Sequence, residues 1–286
     1  MSNMRFSDIS VKFIKLTFKS RFFMAKMCKK LPLISKLVNR LLFDGDDIQV
    51  LPRDETINNL RSENIEINRD IPVSKDLMLP SEVLKEMINR SSYHFIMDFC
   101  ICRVSSNCKD YSHDLGCLFL GKGVKRISDK LGRVVTTDEA IEHVDKCHDA
   151  GLVHIIGRNK IDSIWLNTGP PDELLSICNC CPCCCLWKMS PELPESISNG
   201  LTPMVGVKIN VNSELCTGCG MCADGSCFVN AIKLNDEKAE INYKTCRVCG
   251  RCAEICENRA ITIIMEPDAV DRSIKRVERL VDVESE

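Results

Sequence analysis

The residues from 216 to 256 decide how the rest of the chain is read: CTGCGMCADGSC at 216–227, then CRVCGRCAEIC at 246–256. Cys216, Cys219 and Cys222 form a CxxCxxC run followed by Cys227. Cys246, Cys249 and Cys252 form a second run followed by Cys256. Two sets of four thiolates at this spacing suit two iron–sulfur cubanes. Structural zinc sites instead use two CxxC knuckles set apart by a longer loop, which fits the pattern less well. The small residues Thr217, Gly218, Gly220 and Gly250 let each loop fold tightly, with backbone N–H groups turned toward the sulfurs.

Around these loops residues 207–265 repeat with a period of about thirty. Each half runs from a strand-like apolar piece (207–211, 239–241) through its CxxCxxC loop and a later cysteine to an Ala-Ile pair, Ala231-Ile232 or Ala260-Ile261. In these motifs the chain resembles a bacterial-type two-[4Fe–4S] ferredoxin, whose signature is CxxCxxCxxxC followed by proline. The resemblance covers about sixty of the 286 residues. It implies a ferredoxin-like pseudo-two-fold βαβ fold in which the fourth cysteine of each motif crosses to the other cluster. Cluster one would then take Cys216, Cys219, Cys222 and Cys256, and cluster two Cys246, Cys249, Cys252 and Cys227. The sequence departs from the signature with Glu257 and Phe228 in the proline positions, and with four residues, Ala223 to Ser226, before Cys227.

The chain has 20 cysteines, 44% hydrophobic and 27% charged residues, and a formal charge of −2. Its length predicts two compact domains with tails. The near-neutral charge offers no nucleic-acid signature. Runs such as Cys183-Cys184-Cys185 are poor disulfide geometry and good metal-ligand spacing. The N-terminus lacks a signal-peptide pattern, and no stretch reaches the roughly 18 apolar residues that span a bilayer. A reducing cytoplasm, in an anaerobe, is the expected compartment, with attachment to the inner face of the membrane as a variant.

Residues 1–43 carry ten Lys or Arg between Arg5 and Arg40 against the single acid Asp8, interleaved with Phe, Ile and Leu at helical spacing. One or two basic amphipathic helices broken at Pro32 are expected. Residues 9–43 would lie on an anionic membrane, dock a partner, or pack on their own protein. Residues 44–80 read as a polar connector with short strands such as 65–67. Ser81 is placed to cap a helix carrying Val83, Leu84, Met87 and Ile88. A helix is expected over 114–130. Thr136 and Glu139 form a capping box for a helix over 138–150 that Gly151 closes. LVHII (152–156) and SIWL (163–166) look like a strand hairpin. Residues 188–206 read as a linker with a boundary near Gly200. Residues 267–286 read as a charged tail with a short helix that frays at its end.

The fold class expected is therefore α+β: a Cys-rich mixed α/β domain at 81–187, then the dicluster domain at 207–266. Two dense islands, 100–117 (CICRVSSNCKDYSHDLGC) and 178–185 (CNCCPCCC), exceed what core packing explains, whereas Cys28 and Cys147 read as small hydrophobes. The islands are expected to hold a further iron–sulfur site or sites, a cubane or a less usual cluster using ligands from both, with zinc or a redox dithiol as alternatives. The first grouping is Cys100, Cys102, Cys108 and Cys117, the second Cys178, Cys180, Cys181 and Cys184. His94, His113 and His154 are candidate ligands, each more often a hydrogen-bonded structural residue. The chain as a whole also resembles multi-cluster ferredoxin-type proteins of methanogens and other strict anaerobes, which implies electron transfer between redox protein partners. A reductase built on the island site and an anchoring subunit of a redox complex are the rival readings. No Rossmann or P-loop glycine fingerprint appears.

Overall fold

The computed structural model describes residues 6–57 and 78–285. The strands are β1 (Asp47–Val50), β2 (His94–Met97), β3 (Leu118–Leu120), β4 (Gly132–Val135), β5 (Val153–Arg158), β6 (Leu175–Cys180), β7 (Leu201–Pro203), β8 (Val207–Val211), β9 (Ile232–Asn235), β10 (Lys238–Ile241) and β11 (Ile261–Met265). The first seven form one mixed sheet in the order β4-β2-β3-β6-β5-β1-β7, antiparallel except for the parallel β1/β7 pair. This is a mixed α/β architecture.

The central strands are buried on both faces, which is why they read as apolar runs rather than as an alternation. Ile96, Leu118 and Leu120 join one core, while Phe95, Met97 and Phe119 join the other. Helices Glu82–Arg90, Thr137–Asp149 and Ala269–Glu278 cover the first face, and helices Phe6–Thr17 and Lys160–Leu166 lie on the second.

Several local expectations hold. Val83, Leu84, Met87 and Ile88 are the buried residues of helix Glu82–Arg90. The Thr136 hydroxyl accepts from the Glu139 N–H while the Glu139 carboxylate accepts from the Thr136 N–H, so the capping box is complete. Gly151, at φ +75°, then reverses the chain. The N-terminal segment is helical at Phe6–Thr17, Arg21–Lys30 and Pro32–Val38, with Pro32 opening the last piece.

Others need correction. The Ser81 side chain makes no cap; its N–H instead donates to the Asp54 carboxylate. Residues 114–130 form strand β3 and a 3-10 turn at Lys122–Arg126, not a helix. Gly116 lies so close to Met97 that a Cβ would sit 2.1 Å from its carbonyl oxygen. SIWL is helical, within Lys160–Leu166, because Asp162 anchors it by accepting from Asn159 Nδ2 and Trp165 Nε1, each at 2.9 Å. The connector supplies β1 to the large sheet, and 65–67 fall outside the described residues. Residues 188–206 carry β7 of that same sheet rather than an irregular link. The C-terminal end is held rather than frayed: Val283 is buried and its carbonyl accepts from the Ser92 N–H.

Candidate metal centres

Residues 207–265 close on themselves through two small antiparallel sheets, β8/β11 and β9/β10. The sequence repeat reappears in the hydrogen bonding. Asn212 N–H donates to the Ala260 carbonyl and Asn242 N–H to the Ala231 carbonyl, both at 2.7 Å. Cys216 and Cys246 N–H groups donate to the Asn212 and Asn242 carbonyls. Ala231 N–H donates to Cys227 Sγ at 3.2 Å and Ala260 N–H to Cys256 Sγ at 3.3 Å, each just after a left-handed residue, Asn230 or Arg259. Gly218 is also left-handed, and a Cβ there would stand 2.2 Å from the Glu237 carbonyl oxygen, so only glycine fits.

This fold gathers the thiols in two sets. One cavity is lined by Cys216, Cys219, Cys222 and Cys256, the other by Cys227, Cys246, Cys249 and Cys252. The cysteine that follows each loop thus sits with the other loop. Cys219 is exposed, while Cys222, Cys246 and Cys249 are buried. Burial pushes the Cys249 thiol up to about 12, so a metal there must displace its proton. The second loop is fastened to the large domain. Arg53 N–H donates to the Cys249 carbonyl, Arg53 Nε pairs with Glu254 at 2.8 Å, and the buried Arg247 donates to the Ser198 carbonyl.

In the large domain the structure regroups the islands. Helix Ile101–Ser106 has Cys100 at its N-cap and Cys102 in its first turn. Asn107 caps its far end in the left-handed conformation, with the Cys108 N–H returning to the Arg103 carbonyl. Six residues of helix separate the two ends by about 9 Å, so Cys108 is carried away from Cys100 and Cys102. It meets the turn at 182–184 instead. Cys108, Cys181, Cys183 and Cys184 place their four sulfurs within 4.8 Å of one another, and this group could hold a metal. Cys183 Sγ lies 3.4 Å from both Cys108 Sγ and Cys181 Sγ. The corners of a tetrahedron of 2.3 Å metal–sulfur bonds are about 3.8 Å apart, a near match for one ion. Burial pushes the Cys184 thiol up to about 12 and also raises Cys183. Cys108 is lowered: burial opposes its ionisation, but the Asp110 N–H and the Cys183 thiol outweigh it.

The remaining island cysteines surround a different space. Cys117 precedes β3 and faces Cys178 on β6, at 3.8 Å. Cys180 shares the face of Cys178, two residues on, and contacts Cys185 at 3.1 Å. With Cys100 and Cys102 these six thiols, joined by Cys181 from the Cys108 group, line a cavity of about 100 Å³ that Ile14 and Phe18 of the N-terminal segment also border. The Cys102 thiol, Arg103 and backbone N–H groups draw Cys100 down to about 6 against its burial. Cys102, Cys178 and Cys180 are raised, each first by the hydrogen bond to its partner and then by burial.

The grouping expected from sequence proximity therefore does not form. Cys100, Cys102 and Cys117 go with Cys178 and Cys180; Cys108 goes with Cys181 and Cys184. Cys183 and Cys185, which the CCC run marks as ligand-like but neither four-residue grouping includes, join the Cys108 group and the cavity respectively. The histidines have hydrogen-bonded roles. His94 Nε2 meets the Ile88 carbonyl, His113 Nε2 the Cys108 carbonyl, and His154 Nδ1 the Asn179 side chain. Cys28 and Cys147 are buried packing residues. No family model, curated protein or solved structure matches this chain.

Proposed function

We propose that this chain is an iron–sulfur electron-transfer protein. Residues 207–266 would be a ferredoxin-like module with two [4Fe–4S] clusters, and Cys108, Cys181, Cys183 and Cys184 a further metal centre. One observation carries the reading: the two small cavities are each lined by four cysteines, three from one loop and one from beyond the other. Four cysteines set around a space suit an Fe₄S₄ core, whose irons and sulfides hold the cysteinyl sulfurs apart, better than they suit one ion. Contacts support a route inward from the exposed Cys219. Arg251, between Cys249 and Cys252, donates to the Tyr111 hydroxyl at 2.7 Å. Tyr111 packs with Cys108, Cys181, Cys183 and Cys184. Electrons from a redox protein partner would enter at the surface near Cys219 and pass toward the islands.

The test is iron and acid-labile sulfide per chain, measured on anaerobically purified protein. Cys219→Ser with Cys249→Ser is expected to remove about eight iron atoms and as many sulfides. Unchanged iron in that variant would end the reading.

A specific observation also favours attachment to an anionic membrane. In the N-terminal helices Val11, Phe18, Ala25 and Cys28 pack inward, while Phe13, Leu16, Phe23 and Leu33 stay exposed, the two leucines at 83%. Exposed Lys12, Lys15, Lys19, Lys26 and Lys30 are interleaved with them. Among the described residues no helix is long and apolar enough to cross a membrane, so the segment would lie in the interface. The full chain is expected to sediment with phosphatidylserine vesicles and not with phosphatidylcholine ones. Leu16→Ser with Phe23→Ser should weaken that binding by about tenfold or more. Equal binding of the variant, or retention by an acidic protein alone, would refute the membrane reading.

A further inference from the structure

We propose that the cavity lined by Cys100, Cys102, Cys117, Cys178, Cys180 and Cys185 binds a sulfide-bridged polynuclear iron cluster. This site adjoins the Cys108 centre through Cys181, which borders both, and is additional to the two sets in residues 207–266; the assignment rests on reading the chain as an iron–sulfur protein.

The donors come in three pairs from distant parts of the chain. Cys117 and Cys178 stand 3.8 Å apart, Cys180 and Cys185 3.1 Å apart, and Cys100 is hydrogen-bonded to Cys102. Sulfurs about 3.8 Å apart can take two corners of one tetrahedral metal, so the Cys117–Cys178 pair is spaced to chelate one iron, and the Cys180–Cys185 pair lies closer than that. A single tetrahedral ion needs four sulfurs, and six thiols around one cavity of about 100 Å³ are more than it can use. Several metals must share them, and inorganic sulfide is the bridge that thiolate-bound iron takes.

A second observation points to an anionic occupant. Arg103 is wholly buried, lines the same cavity, and keeps a buried Nε–H with no acceptor among the described residues. Its other nitrogens are used by the Asn179 and Leu115 carbonyls. A cluster carrying thiolates and sulfides supplies both the acceptor and the negative charge that a buried guanidinium lacks. Ile14, Phe18, Trp165 and Trp187 make the apolar part of the wall, and Asn159, Asp162 and Asn179 the polar part.

The experiment uses the full chain purified anaerobically with iron and sulfide, comparing wild type with Cys117→Ser/Cys180→Ser and with Cys219→Ser/Cys249→Ser. The proposal expects the first variant to lose on the order of four irons with matching sulfide while the signals of the 207–266 clusters persist. It expects the second variant to keep sulfide-bridged iron in its Mössbauer spectrum. The second variant separates the two ideas: if cavity iron survives while the module also keeps its full iron, only the dicluster reading falls. Unchanged iron and sulfide in the first variant overturns the cavity cluster. Loss of metal without loss of sulfide does so as well. If the double variant does not fold, wild-type sulfide decides: about eight per chain overturns the proposal, and a clear excess supports it.

Discussion

Stripped of iron by anaerobic chelation, residues 207–266 are expected to unfold while the seven-stranded sheet stays intact. The two parts are held together by different physics. In the large sheet, Leu118, Leu120, Ile156 and Ile177 are fully buried and make a core that needs no metal. The module has only two sheets of two strands each, and isolated pairs of that size are marginal in water. Its interior positions include Cys222, Cys246 and Cys249, which contribute most when bound to metal. When a site does not exist in the unfolded chain, its metal-binding free energy becomes folding free energy, about 10–16 kcal/mol for structural zinc peptides. Amide exchange should show protection lost by several orders of magnitude in β8 to β11 and retained in β2, β3, β5 and β6. Protection that stays uniform after iron removal would show that packing alone holds the module.

Arg103→Leu is expected to destabilise the large domain by about 3–5 kcal/mol, lowering its melting temperature by roughly 10 °C. Burial works against the Arg103 charge, but the thiols of Cys100, Cys181, Cys180 and Cys117 more than offset it and raise its pKa. Leucine would leave the Asn179 and Leu115 carbonyls without their donor in a dry interior, at about 1–3 kcal/mol each. Arg103→Lys keeps the charge but not the fork that reaches two carbonyls, and should recover only part of the loss. Calorimetry of both variants checks this; a change under 1 kcal/mol for leucine would mean that water replaces the guanidinium.

Features set by neighbours in the chain were legible from sequence. The Thr136–Glu139 box, the Gly151 stop and the buried stripe of helix Glu82–Arg90 each depend on residues within a few positions. The thirty-residue repeat was legible for the same reason, because each CxxCxxC loop sets its own geometry. The islands failed the same treatment. Cys108 and Cys183 are brought together across 75 positions by two reversals, the left-handed Asn107 and the turn that begins at Pro182. Neither reversal states its partner locally. SIWL misled because four apolar-rich residues suit a strand or a helix equally, and what decides is the hold of Asp162 on Asn159 and Trp165. β7 was hidden in a proline-rich stretch because only its parallel pairing with β1 makes it a strand.

Ile14 and Phe18 border the cysteine-lined cavity, so a cluster bound there would impose a timetable on biogenesis. Those residues are synthesised before most of the walls they meet, which extend to Trp187. Early docking of the first helix would seal the chamber before anything could be loaded into it. A cluster bound there would have to enter before that helix docks, with the helix waiting apolar side bare; assembly would then be a problem of scheduling as well as of supply.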